Sequence, residues 1–112
     1  MSAQDNLSQQ QFPSAMPAAN LLQYAVHYYE GTRKEKDMDE ESAKSSIYAR
    51  KLRESKKAGL HKDIKANGVK EAVVVDHTDP DYPEGMIAQG HHRIASAVNI
   101  DHSMPIKVIH KR

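Results

Sequence analysis

Met86-Ile87-Ala88-Gln89-Gly90-His91-His92-Arg93-Ile94-Ala95-Ser96-Ala97-Val98 passes from an apolar run, through one glycine, into residues whose apolar members Ile94, Ala97 and Val98 recur at helical spacing. The reading is a strand over residues 86–89, a turn at Gly90 and a helix after it. A helix that starts directly after a strand turns unpaired backbone N–H groups and the positive end of its dipole toward one point, which suits an anion. Gly90 has no Cβ, so an oxygen can approach the backbone there. Arg93 adds a planar fork of donors matched to phosphate or carboxylate. His91 and His92 are the candidate acid–base groups of the turn, since imidazole can move a proton near neutral pH; packing and helix capping are the competing roles.

Working outward, Pro105-Ile106-Lys107-Val108-Ile109 alternates as a half-buried strand does. Strand, helix and strand over residues 86–109 therefore read as a βαβ unit with parallel strands and a right-handed crossover. Upstream, Ala72-Val73-Val74-Val75 reads as a central strand covered on both faces, with Val74 in the core. The proline-containing residues 78–85 form a turn between the first two strands. Before them, a helix capped by Ser45 or Ser46 runs through Ile47, Tyr48 and Leu52 to about residue 57. After Gly59 a shorter helix holds Leu60 and Ile64 and closes at Asn67-Gly68 with glycine in the left-handed position.

The N-terminal part carries weaker signals. Residues 32–41 are densely charged and read as a solvated connection. Leu21, Leu22, Ala25, Val26, Tyr28 and Tyr29 recur helically with Asn20 as cap, although Val26-His27-Tyr28-Tyr29 also suits a short strand. Residues 1–17, rich in Gln, Ser, Ala and Pro, lack a burial pattern and read as a flexible tail. The expected organisation is thus a tail over 1–17, a helical extension and charged loop over 18–45, and an α/β (α+β) domain with a small mixed sheet over 46–112.

Composition bounds the chemistry. The 112 residues suit one domain with a small aliphatic core, as 38 % are apolar with no tryptophan and one phenylalanine. The chain has no cysteine, which excludes disulfides, thiolate nucleophiles and cysteine-ligated metal centres and fits a reducing, cytoplasmic setting. No basic leader precedes an apolar run, and nothing approaches the roughly 20 apolar residues of a membrane span, so no membrane partner is expected. A net charge of +1 gives no global pull toward nucleic acid.

The order of motifs is more informative than any one of them. A helix ending Ile64-Lys65-Ala66-Asn67-Gly68-Val69, the strand Val73-Val74-Val75, and the box Gly90-His91-His92-Arg93-Ile94-Ala95-Ser96-Ala97 followed by Met104-Pro105-Ile106-Lys107-Val108 resemble the ParB and sulfiredoxin superfamily, in particular small ParB-like nuclease-domain proteins. The upstream Tyr48-Ala49-Arg50-Lys51-Leu52-Arg53-Glu54-Ser55 resembles versions carried by bacteriophages. The resemblance implies a phosphate pocket built on Gly90, His91, His92 and Arg93. It would take a nucleotide such as CTP, as in ParB, or ATP, as in sulfiredoxin, with magnesium as a companion ion, or the backbone of DNA. It also implies phosphotransfer or nuclease chemistry as the reactions to consider. His91 stands where sulfiredoxin has its cysteine, so that chemistry is not expected. ParB's metal-binding and helix-turn-helix segments are not expected in a chain that stops at Arg112, and Ala72 stands where the superfamily usually has proline.

Plainer readings stand beside these. Glycine suits any strand-to-helix turn, and Arg93 has Asp101 as a candidate structural partner. Adjacent helical histidines point about 100° apart, so His91 and His92 do not easily share a metal. The set His77, His91, His92, His102 and His110 contains no i, i+4 helical pair, and no metal site is assigned. Arg50, Arg53 and Lys57 fall on one helix face that could meet phosphates or simply be solvated. Asp76, Asp79, Asp81, Glu84 and Asp101 are candidates to border the turn as magnesium ligands or bases. Two classes of function follow: phosphate-centred binding of a nucleotide or nucleic acid at the Gly90 turn, or a non-enzymatic phage-type effector that binds a host protein through its helices.

Overall fold

Val73 and Val75 are fully buried while Val74 between them is half-buried, because alternate residues of a strand face opposite sides of the sheet. The computed structural model describes residues 14–26 and 31–112. In them the chain forms β1 (Ser14–Pro17), a 3-10 helix (Ala18–Gln23), β2 (Ala25–Val26), α1 (Arg33–Lys36), α2 (Glu40–Ala58), α3 (Leu60–Asn67), β3 (Val73–Asp76), β4 (Met86–Gln89), α4 (His91–Ile100) and β5 (Pro105–Lys111). The described strands make one mixed sheet in the order β1-β5-β3-β4-β2. This is an α/β fold with β3 central, as the sequence indicates, but Val74 does not belong to the core and the strand is not equally covered on both faces.

The strand pairing corrects the expected βαβ unit. β3 pairs antiparallel with β4 and parallel with β5, so β3 lies between the two strands that α4 connects. β4 and β5 are therefore antiparallel to each other and not neighbours. The parallel pair is β3 with β5, and its crossover contains both β4 and α4. A second parallel pair joins β2 to β4.

β1 corrects the extent of the tail. Ser14–Pro17 pairs antiparallel with β5, matching Ser14 to Val108 and Met16 to Ile106. Pro17 has no N–H to offer, a lack that an edge strand tolerates. The next two residues tie down at once, with Ala18 N–H donating to the Met104 carbonyl at 2.9 Å and Ala19 N–H to that of His102 at 3.0 Å. Ala18 and Leu21 are fully buried, so the helical recurrence expected here is real but tightens into a 3-10 helix. Ala25 and Val26 take the strand alternative. The rest of the cluster, residues 27–29, lies outside the described residues, as does the tail over 1–13.

Inward-facing Val73, Val75, Ile87, Ile106 and Val108 pack against Ile94 and Ala97 of α4 and against Ala18 and Leu21. Each large member of this cluster contributes roughly 1.5–3 kcal/mol relative to exposure.

The charged residues 32–41 are not a plain loop. Thr32 and Glu35 form a capping box that starts α1, and Asp39 caps α2 by accepting from Ser42 N–H at 2.9 Å. The helix therefore begins six residues before Ser46, since Asp39, Glu40 and Glu41 complement its amino end and Lys56 and Lys57 its carboxyl end. Glu35 is 4 % exposed and fastens α1 to α2, accepting from Ser46 Oγ at 2.5 Å and Arg50 Nη2 at 3.1 Å. Burial pushes this carboxyl up, but the hydrogen bonds of Ser46, Thr32 and Arg50 and the charge of Arg50 outweigh it and bring its pKa to about 2.

Candidate functional site

β4 ends at Gln89 and α4 begins at His91, with Gly90 between them at φ 112° and ψ 16°. This left-handed backbone favours glycine, and a Cβ at Gly90 would also stand 2.7 Å from Val73 Cγ2 and 3.2 Å from Arg93 Nη1. No side chain caps α4, and the Ile94 N–H returns to the Gly90 carbonyl at 2.9 Å. The amino end of the helix opens into a cavity of about 290 Å³ lined by Glu54, Ser55, Ala58, Leu60, Gly90, His92 and Arg93.

Three of the four residues expected at this turn, Gly90, His92 and Arg93, line that cavity. His91 does not. It is 6 % exposed and packs inward, its ring 6.3 Å from that of Tyr48, whose hydroxyl burial pushes up. Adjacent helical residues diverge, and here one histidine faces the core and the other the cavity.

Two carboxylates that the sequence reading did not single out complete the site. Glu54 Oε1 lies 2.8 Å from His92 Nε2, and Glu71 Oε2 accepts from Arg93 Nη2 at 2.7 Å while Arg93 Nη1 donates to the Ala72 carbonyl at 3.1 Å. The hydrogen bond to His92, helped by the charges of Lys51, His92 and Arg50, holds the Glu54 carboxyl below its ordinary range. Ser55, fully buried on α2, donates to the His92 carbonyl at 3.2 Å and so fixes α4 against α2. Glu54 is hard to find in sequence because 38 residues separate it from His92.

Arg93 thus has Glu71 and not Asp101 as its partner; the Asp101 side chain accepts from Ser103 N–H at 2.9 Å, beyond the far end of α4. The other acidic candidates also fall away from the turn. Asp76 pairs with Met86 at the end of β4 opposite Gly90, and Asp79 and Asp81 follow in the loop beyond it. The shared basic face of α2 divides, because Arg50 is drawn to Glu35 and Glu54 while Arg53 and Lys57 remain exposed. Of the scattered histidines, His77 and His110 meet at 2.8 Å, and His102 is exposed near the end of α4. Among the described residues no three His, Asp or Glu side chains cluster as metal ligands would.

A larger cavity, about 480 Å³, opens between α2 and α4 and is lined chiefly by Leu22, Tyr48, Ala49, Leu52, Ala95 and Val98. Glu41, Lys44, Asn99 and His102 add polar groups to its lining. No described helix is long and apolar enough to cross a membrane.

Compared with known protein families, with curated proteins and with solved structures, the chain has no match.

Proposed function

We propose that the Gly90 turn binds a phosphate group of a nucleotide or of a nucleic acid. The observation that carries this reading is the uncapped amino end of α4 opening into a cavity rimmed by Arg93 and His92. Phosphate oxygens would accept from the first-turn N–H groups, where the helix dipole favours negative charge. Arg93 would turn from Glu71, a residue whose side chain is 77 % exposed, toward the anion. Donating Nε2–H to Glu54, His92 would present Nδ1 as an acceptor, the group a phosphotransfer or nuclease step would use. This agrees with the ParB-like order of motifs in the sequence, and CTP and ATP, each with and without magnesium, are the first ligands to try.

The second reading, an effector that binds a host protein, draws on the apolar cavity between α2 and α4. One variant separates the two. Arg93→Ala removes a charge-assisted hydrogen bond worth roughly 1.5–3 kcal/mol, so it should weaken triphosphate binding by about ten- to a hundredfold by calorimetry. If Arg93→Ala and wild type bind every tested nucleotide and DNA alike, or neither binds any, the phosphate reading is wrong and the apolar cavity becomes the site to pursue.

A further inference from the structure

His77 Nε2 and His110 Nδ1 face each other at 2.8 Å, with ring centroids 5.0 Å apart. Two imidazole nitrogens this close form one hydrogen bond only when one carries a proton and the other presents its lone pair. The Tyr24 ring meets both edge-on, each centroid 6.3 Å away. The cluster is close-packed: a Cβ on Gly85 would stand 2.9 Å from His77 Cε1 and 3.0 Å from Tyr24 Cδ1.

These three rings join separate parts of the chain. His77 opens the loop that ends at Gly85, and its N–H donates to the Lys111 carbonyl at 2.8 Å. His110, on β5, is in register with Val75 of β3. Tyr24 precedes β2, whose Ala25 N–H donates to the Gly85 carbonyl at 3.2 Å.

We propose that His77 and His110 form a proton-operated clasp that holds the loop over residues 77–85 and Tyr24 to the end of the sheet near neutral pH and releases them on mild acidification. A first added proton can sit on an outer nitrogen and leave the shared bond intact. A second places N–H against N–H, and the contact is lost. The charged groups facing the pair are Asp76 on β3 and Arg112 after β5, with the Pro83 carbonyl on the loop side. Burial first, then Arg112, holds His77 below the ordinary imidazole range, against Asp76 and Pro83. Burial, then the charges of His77 and Arg112, holds His110 there as well.

The sign follows from linkage. Released rings take up protons near the ordinary value of about 6.5, whereas clasped rings do so only at lower pH. The open form therefore gains protons first as pH falls through that value, and acidification favours opening. The clasp lies at the end of β4 remote from Gly90, so its release uncovers Tyr24 and Val75 without touching the phosphate cavity.

Nuclear magnetic resonance on the full chain between pH 8 and 5 tests this. The His77 and His110 ring resonances should titrate in a coupled manner, and the Tyr24 ring should shift over the same range. Hydrogen exchange at Ala25, corrected for the intrinsic rate, should accelerate by about tenfold per pH unit for each proton taken up. His110→Gln, which can still hydrogen-bond but does not titrate, should abolish the pH-dependent step at Tyr24 and Ala25. The clasp is overturned if the two rings titrate independently, or if Tyr24 and Ala25 do not respond while the histidines protonate in the wild-type chain. It is also overturned if the step persists in His110→Gln.

Discussion

Glu71 and Arg93 stand 22 residues apart in the chain and meet through Oε2 and Nη2 at 2.7 Å, beside the glycine that opens α4. The Arg93 side chain is 23 % exposed and that of Glu71 77 %, so the pair is easily parted. A ligand anion at the turn has to compete with this carboxylate. Glu71→Gln should therefore tighten phosphate binding, by up to about fivefold, the equivalent of the roughly 0–1 kcal/mol that an exposed ion pair holds. Calorimetric titration with a nucleoside triphosphate checks it; weaker binding in the variant would show that Glu71 positions Arg93 and does not compete for it.

Gly90→Ala should destabilise the fold irrespective of ligand. The new methyl meets Val73 Cγ2 at 2.7 Å, and the backbone at φ 112° is one that alanine rarely adopts. A loss of roughly 1–3 kcal/mol is expected from strain of this kind. Urea denaturation measures it, and a loss under about 0.5 kcal/mol would mean that the turn relaxes freely.

Val75 and Val74 offer a paired test of the sheet's facing. Val75→Ala empties space in the core and should cost roughly 2 kcal/mol, whereas Val74→Ala, at a half-buried position, should cost less than half as much. Equal losses on chemical denaturation would contradict the alternation seen in β3.

Glu35 should make the fold acid-sensitive. Its pKa falls from 4.5 to about 2 on folding, so the unfolded chain binds more protons between those values. Stability from this group is full above about 4.5 and is lost as pH falls toward about 2. Glu35→Gln should flatten the melting-temperature profile over this window and lower stability at pH 7; an unchanged profile would deny Glu35 this role.

The sequence made the strand, glycine and helix around Gly90 legible because the change from an apolar run to helical recurrence is local. The helix ending at Gly68 and the strands at Val73 and Ile106 were legible for the same reason. What stayed hidden depends on contacts distant in sequence. Nothing near residues 86–109 announces that β3 will insert between β4 and β5. Ser14–Pro17 lacks β-branched residues and carries a proline, so only its pairing with β5 makes it a strand. Thr32 and Asp39, which cap α1 and α2, lie in a stretch whose dense charge reads as a solvated connection, so neither helix start was read there. Of the cavity, the turn and its basic groups could be read; Glu54 and Glu71 required the packing of α2 and of the segment before β3.

The pairing of Ser14 with Val108 bears on how the molecule is made. A ribosome releases the chain from its amino end, so β1 emerges well before β5, the strand it joins. β5 also has to reach β3 before that edge can form. Closing so long a loop carries an entropic cost that no local contact offsets, which places this step late and makes it slow. The nascent protein thus leaves Ile87, Ile94 and their neighbours open to other chains until β5 has emerged and paired, an interval in which association with other chains competes with folding.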